Sequence, residues 1–389
     1  MKHWRRHVIL YKLIRRLLYP FTGLIYGLKS ERAPYIKEPC IILSNHTMDT
    51  DPLLLSRSFP QHLYFLASEH VFSWGWKSRV IEWVADPISK MKGDTDVSAV
   101  KELMRRIKNG HNICIFPEGN RSFTGTTKSI APSTGKLVKA CRTTIVTYRF
   151  EGGYFTSPRW AAKGRRGKMK GYVVGVYPYS DIEDLTDLEI NQLIERDIHE
   201  DAYLRQLESP VAYKGKNLAE WLEVSLYICP LCESIGTLKS KGEVFYCSRC
   251  DMSSSIDEYG FIHGECLPFN TLVEWDSWQG DKMKALSSTI GKEIAFSDEG
   301  ETLFLIDRYS HNRKEVAYGN LAIYSNRLVI GNRDFLFREI SDLNVHGKQT
   351  LVFSSQGDNY EIISKTPRSA RKYVSFFQHI TGRGDLRRI

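Results

Sequence analysis

The sequence has no apolar run long enough to cross a bilayer. Its uncharged N-terminal stretch, residues 17–28, is only twelve residues long and is interrupted by Pro20, against about 20 residues for a spanning helix. It carries no small-residue cleavage site, so neither a spanning helix nor a signal peptide is expected. Internal repeats and low-complexity segments are also missing, which sets aside solenoids and disordered tails. Acidic residues are nearly absent from residues 1–32, where Glu31 stands alone against Lys2, Arg5, Arg6, Lys12, Arg15, Arg16, Lys29 and Arg32. Four of the eight cysteines (Cys40, Cys114, Cys141, Cys266) are scattered in apolar or mixed surroundings, a usage that suits a reducing compartment better than a disulfide framework.

What is present is a chain of 389 residues, 42% hydrophobic and 25% charged, long enough for two or three domains with real cores. The net charge of +9 sits mostly in the basic N-terminal segment. There Trp4, Val8, Tyr11, Ile14 and Leu18 recur at helical spacing with the cations largely to one side. Residues 1–34 therefore read as amphipathic helices lying in a membrane interface, drawn to anionic lipids, with a peripheral, monotopic placement; the other reading is a basic helix packed on the protein's own body.

Residues from about 36 to 180 alternate β-rich runs (41–44, 112–116, 144–150, 172–177) with helical patterns such as 97–108, which predicts an α/β layered domain. An acidic stretch, 181–208, opens with a Thr186–Glu189 capping-box pattern and reads as a closing helix. Residues 286–389 read as strands (301–306, 321–330, 335–340, 350–354, 360–364) closed by one helix beginning near Thr366-Pro367.

Two motifs carry chemistry. His46 and Asp51 lie five residues apart, after an apolar strand-like run and before Pro52-Leu53-Leu54-Leu55. A strand-to-helix turn lets Asp51 hold the imidazole through its Nδ1 proton, leaving Nε2 as a base toward an attacking alcohol. The second motif, Phe116-Pro117-Glu118-Gly119-Asn120-Arg121-Ser122, follows a strand directly. Its turn brings Arg121 to where a guanidinium can fork onto a phosphate, with Glu118 placed to accept from a glycerol hydroxyl. A basic stretch (Arg159, Lys163, Arg165, Arg166, Lys168, Lys170) with Tyr154 and Trp160 reads either as a surface for headgroups or donor phosphates or as a solvated loop.

Asn45-His46-x4-Asp51 followed about 70 residues later by Phe-Pro-Glu-Gly-x-Arg-Ser resembles the glycerolipid acyltransferase family, whose best-known members are 1-acylglycerol-3-phosphate acyltransferases. The resemblance covers roughly the first 225 residues and implies an acyltransferase domain at 35–225. It implies His46 as general base and Asp51 as its partner, with Asn45, Glu118, Gly119 and Arg121 at the acceptor. Lys92 (or Lys90) stands where the family has a phosphate-binding arginine. Thr147 stands where the fourth block carries proline. The implied reaction moves an acyl group from acyl-CoA or acyl-carrier protein to the free hydroxyl of a lysophospholipid, 1-acylglycerol-3-phosphate giving phosphatidic acid, at the cytoplasmic face of a membrane.

Cys229-Pro-Leu-Cys232 and Cys247-Ser-Arg-Cys250, fourteen residues apart, form the pattern of a zinc ribbon at 226–266, a closed and hence structural Zn2+ site with iron as the other candidate. Glu233 and Asp251 replace the glycine usual after each pair. The region 286–389 is similar to pleckstrin-homology-like domains. Lys239, Lys241 and Arg249 of the ribbon are offset by Glu233, Glu243 and Asp251, so no nucleic-acid partner is expected. The competing class is a non-catalytic lipid-binding adaptor on an acyltransferase fold, against which the intact His46, Asp51, Glu118 and Arg121 argue.

Overall fold

In a computed structural model of the protein, residues 4–68, 76–90, 97–307 and 312–383 are described, with the backbone alone for Leu18, Tyr19, Lys77 and Lys90. The chain divides into two compact units. One holds residues 1–158 and 165–214, the other residues 159–164 and 215–389.

The first unit is mixed α/β. Its sheet contains β1 (Leu28–Ser30), β2 (Cys40–Ser44), β3 (Leu63–Ser68), β4 (Ile88–Lys90), β5 (Asn112–Ile115), β6 (Thr144–Glu151) and β7 (Met169–Tyr177), in the order β1-β7-β6-β2-β5-β3-β4. Only the β6–β7 pair is antiparallel. Every residue of β2 is buried, as expected for a parallel strand covered on both faces. Its side chains alternate between two cores. Ile41 and Leu43 pack with Leu103, Val138, Ile190 and Ile194, which lie on the helices Val97–Lys108, Ser133–Cys141 and Asp187–Ile198. Ile42 packs on the other face with Leu54, Leu55, Phe59 and Tyr148. The Thr186–Glu189 capping box forms. Thr147, at the position where proline was expected, donates to buried Asp197 Oδ2 at 2.7 Å, and Tyr177 donates to the same oxygen at 2.7 Å. The hydroxyl thus ties β6 to the helix Asp187–Ile198.

The N-terminal segment forms one helix, Trp4–Tyr26, continuing through Pro20. The stripe read from the sequence is largely its inward side. Tyr11 donates to Phe59 O, Arg15 to Ser56 O and Arg57 O, and His7 Nδ1 lies 3.1 Å from Val84 O. The exposed apolar stripe is instead Ile9, Leu13, Leu17, Phe21 and Leu24, each at least half exposed, with Arg5, Lys12 and Arg16 also exposed. Beside it, the helix Trp76–Ala85 exposes Trp76, Val80 and Trp83, the last under the Arg6 guanidinium. Among the described residues no helix is long and apolar enough to cross a membrane.

The second unit is β-rich. Four antiparallel strands, β8 (Leu238–Lys241), β9 (Val244–Cys247), β10 (Ser253–Ile256) and β11 (Ile262–His263), carry the cysteine pairs at one end. A helix the sequence reading left out, Leu272–Thr289, packs on this sheet's approach. Trp275 Nε1 donates to Ile228 O, and Gln279 exchanges bonds with Tyr227 N and Ser225 O. A seven-stranded antiparallel sheet follows, β12 (Phe296–Ile306), β13 (Arg313–Ile323), β14 (Arg327–Ile330), β15 (Arg333–Leu336), β16 (Ile340–His346), β17 (Thr350–Ser355) and β18 (Asp358–Ser364), ordered β15-β14-β13-β12-β18-β17-β16 and closed by the helix Arg371–Thr381. The stretch 321–330, read as one strand, is a hairpin, because the chain turns at 324–326 and Tyr324 N bonds back to Arg327 O.

The basic stretch after β6 is divided: Lys163, Arg166, Lys168 and Lys170 are exposed, whereas Arg159 and Arg165 are buried. Arg159 is 3% exposed and donates to Gly347 O and Val345 O, and Trp160 is 1% exposed, both within the second unit.

Candidate active site and metal centre

Three strand ends meet at one edge of the first sheet. β2 leads into His46, β5 into Phe116-Pro117-Glu118, and β6 into Gly152-Gly153-Tyr154. In open α/β sheets, ligands bind at the carboxyl ends of the strands. Here those ends hold a cleft lined by Asn45, His46, Thr47 and Glu118, together with Ser122, Gly125, Thr127, Tyr154 and Glu200. The last five were not singled out for this role from the sequence. Ser122 closes the second motif, while the other four come from segments far apart in the chain that no local pattern marks for this role.

The turn after β2 is organised around Asp51, whose residue is fully buried. Its Oδ2 lies 2.9 Å from His46 Nδ1 and accepts from Thr47 N at 2.6 Å and Met48 N at 2.8 Å, while Oδ1 accepts from Thr47 Oγ1 at 3.1 Å. The bend that makes a five-residue spacing workable is thus tied by the carboxylate itself. The His46 ring stacks on Phe116 with centroids 4.4 Å apart. With Nδ1 on Asp51, Nε2 has no hydrogen-bond partner among the described residues, and the side chain is 21% exposed. A ring fixed this way, with Nδ1 carrying the proton, presents an unprotonated Nε2 that can take a proton from a bound hydroxyl.

The remaining motif residues sit close by, and several are engaged by backbone groups. Asn45 spends its carboxamide on β6, donating to Phe150 O and accepting from Phe150 N, each at 2.8 Å. Glu118 is 3% exposed, and each oxygen takes a backbone amide: His46 N on Oε1 at 2.7 Å and Lys128 N on Oε2 at 2.9 Å. Both side chains are thus bonded to backbone groups that hold the His46 turn, while both also line the cleft. Gly119 N closes the Pro117-Glu118 turn on Phe116 O at 3.0 Å, and Gly119 itself adopts φ +70°. That left-handed backbone favours glycine. Arg121 Nε pairs with Asp49 Oδ1 at 2.9 Å. Lys92 lies outside the described residues, as does the side chain of Lys90.

In the second unit, the sulfurs of Cys229, Cys232, Cys247 and Cys250 all lie within 4.8 Å of one another. Cys229–Cys250 and Cys232–Cys247 Sγ separations are 3.6 and 3.8 Å. These are far too long for a disulfide and close to the edge, about 3.8 Å, of a tetrahedron with Zn–S bonds of about 2.3 Å. Glu233 holds φ +55°, the conformation for which glycine is usual, and its carboxylate pairs with Lys282. Ser234 Oγ lies 3.3 Å from Cys232 Sγ and Thr237 Oγ1 3.2 Å from Cys247 Sγ, contacts of the kind that orient thiolate ligands. The four sulfurs fit a closed tetrahedral ion.

A family model described as Acyltransferase matches residues 26–151. A chloroplastic 1-acyl-sn-glycerol-3-phosphate acyltransferase, BAT2 of Brassica napus, is 32% identical over 112 residues, which is 28% of this chain and 31% of that protein. The chain thus spans about a third of the length of that relative. The solved 1-acyl-sn-glycerophosphate acyltransferase PlsC of Thermotoga maritima is 17% identical, with a TM-score of 0.42 over 51% of this chain and 80% of its own.

Burial pushes the Glu118 carboxyl up to about 7, against the pull of the two amides that favour its charged form. Between the ordinary carboxylate range and about pH 7 the unfolded chain has already lost a proton that the native state retains. Stability from this group is therefore complete below that window and lost as pH rises through about 7. In denaturant titrations from about pH 5 to 8, wild type is expected to lose on the order of 2–3 kcal/mol relative to Glu118→Gln, which cannot titrate. Parallel pH profiles for the two proteins would contradict this placement of Glu118.

Proposed function

We propose, on the premise that the chain belongs through residues 26–151 to the glycerolipid acyltransferase family, that it transfers a fatty acyl group from a thioester donor to the free hydroxyl of a lysophospholipid. The acceptor class is 1-acylglycerol-3-phosphate, the product phosphatidic acid, and the donor acyl-CoA or acyl-carrier protein. The observation that carries the reading is His46, which lines the cleft and is held through Nδ1 by buried Asp51. His46 Nε2 takes the hydroxyl proton as the acceptor oxygen attacks the thioester carbonyl. The carbon–sulfur bond breaks, and the departing thiolate recovers the proton from His46. The acceptor itself is the nucleophile, so no covalent acyl-enzyme is required. Arg121 supplies charge for the acceptor phosphate, and Glu118 and Asn45 keep the His46 turn in place.

A membrane surface with anionic lipids supplies the acceptor. The exposed stripe of the helix Trp4–Tyr26, with Trp76, Val80 and Trp83 beside it, is the surface that enters the interface, and the placement is peripheral on a cytoplasmic membrane face. Cys229, Cys232, Cys247 and Cys250 hold a structural Zn2+ that fixes the ribbon and takes no part in the reaction.

Two measurements test this reading. Thiol release from acyl-CoA and acyl-carrier protein is followed with lysophosphatidic acid, and lipid products are identified by mass spectrometry. Wild type is expected to form phosphatidic acid, and His46→Ala to lose about 10³-fold or more of the rate. With acceptor in anionic vesicles, Leu13→Glu slows turnover, whereas the rate on detergent-dispersed acceptor is kept. A folded wild type inactive on every lysophospholipid would instead indicate the lipid-binding adaptor. Separately, metal analysis is expected to find one zinc per chain, and its removal by chelator to lower the unfolding midpoint. A metal-free chain of unchanged midpoint would remove the zinc from the account.

A further inference from the structure

The arginine assigned to the acceptor phosphate already holds an anion of the chain's own. Arg121 is 7% exposed, and its Nε lies 2.9 Å from Asp49 Oδ1, whereas the Asp49 side chain is 78% exposed. Asp49 belongs to the same turn as His46 and Asp51, but the two acids differ sharply. Asp51 is fully buried and committed to the turn's own donors, whereas Asp49 reaches across to the motif that follows β5. Acids line the neighbouring cleft, and the Lys128 charge acts on one of them, Glu118. Glu118 and Glu200 line the cleft, and no lysine or arginine among the described residues does. Glu200 in turn is engaged by Arg205, which also pairs with Glu151 at 3.0 Å.

We propose that Asp49 is a tethered competitor for the acceptor headgroup, occupying an anion-binding position of Arg121 that a lipid phosphate must take over. The inference rests on the acyl-transfer reading and names what regulates its acceptor choice. A carboxylate against the guanidinium offsets much of the charge that would draw a phosphate in. A bound phosphate has to swing that carboxylate aside, and the tether keeps it near the headgroup. The remaining repulsion grows with headgroup charge: largest for a phosphomonoester dianion, smaller for a phosphodiester, and absent for an uncharged glycerolipid. Because Asp49 is exposed, solvent and salt screen the effect to a severalfold change. Asp49 is therefore a specificity-determining residue that touches no reacting atom. A sequence motif that assigns Arg121 to phosphate does not reveal it, because the competitor lies in the other motif, in a position between His46 and Asp51 that the pattern leaves open.

The test compares Asp49→Asn and Asp49→Ser with wild type at about pH 8, where a phosphomonoester is close to a dianion. Initial rates are measured in one neutral detergent with lysophosphatidic acid, lysophosphatidylglycerol and monoacylglycerol. Both variants are expected to lower KM for lysophosphatidic acid about three- to tenfold, with the change falling chiefly in KM. The change is smaller for lysophosphatidylglycerol and absent for monoacylglycerol, and it shrinks at high salt. An unchanged or raised KM for lysophosphatidic acid, or an equal change for all three acceptors, would overturn the proposal. A second arm needs no turnover: the inorganic phosphate concentration giving half-maximal thermal stabilisation should fall in both variants. If no protein turns over any acceptor, the acyl-transfer reading fails. The phosphate arm then decides the role of Asp49 alone, tighter binding supporting it and equal binding rejecting it.

Discussion

The candidate site depends on one buried carboxylate. Asp51 has no solvent exposure, yet it is compensated by two backbone amides, a hydroxyl and the His46 ring. A charge in that position is tolerated only while those donors are in place. The same bonds that satisfy it therefore hold the turn between β2 and the helix Asp51–Leu55 in the shape that brings His46 back over five residues. The stability of the turn and the geometry of the candidate site are here one set of contacts.

The rest of the first unit supplies fixed points for that turn. β2 is buried on both faces, so its end cannot drift, and Asn45 stitches the residue after it to β6 by two hydrogen bonds. Glu118 reaches from the end of β5 to the His46 amide, and Phe116 backs the imidazole face. The loop is thereby tied to both neighbouring strands. This division leaves His46 Nε2 without a hydrogen-bond partner among the described residues, while Asn45 and Glu118 hold the turn that carries it.

Much of this was legible in the sequence because the spacing of a motif is local. The alternation of strands and helices marked an α/β domain, and two short motifs marked the residues that the fold gathers at one sheet edge. The directions of side chains were less legible. Glu118 and Asn45 bond to backbone groups 72 and 105 residues away in sequence, which no pattern within a motif encodes. The N-terminal helix carries apolar residues on two sides, so periodicity alone could not tell Tyr11, turned inward, from Leu13, turned outward. The helix Leu272–Thr289 escaped because its buried line, Leu272, Trp275, Gln279 and Met283, includes a glutamine whose amide is satisfied by distant backbone. Its Thr271–Glu274 capping box was the signal available.

The most direct test of the account is the steady-state rate of acyl transfer by Asp51→Asn, measured beside its unfolding free energy. An asparagine of the same shape can still accept one or two of the turn's donors. However, it cannot hold the imidazole in the same tautomer or offset the charge that His46 acquires. The account predicts a fall in kcat of about 10³–10⁴-fold together with a loss of several kcal/mol of stability. A variant that folds less stably yet turns over at the wild-type rate would contradict it, leaving Asp51 a purely structural carboxylate and His46 without its proposed partner.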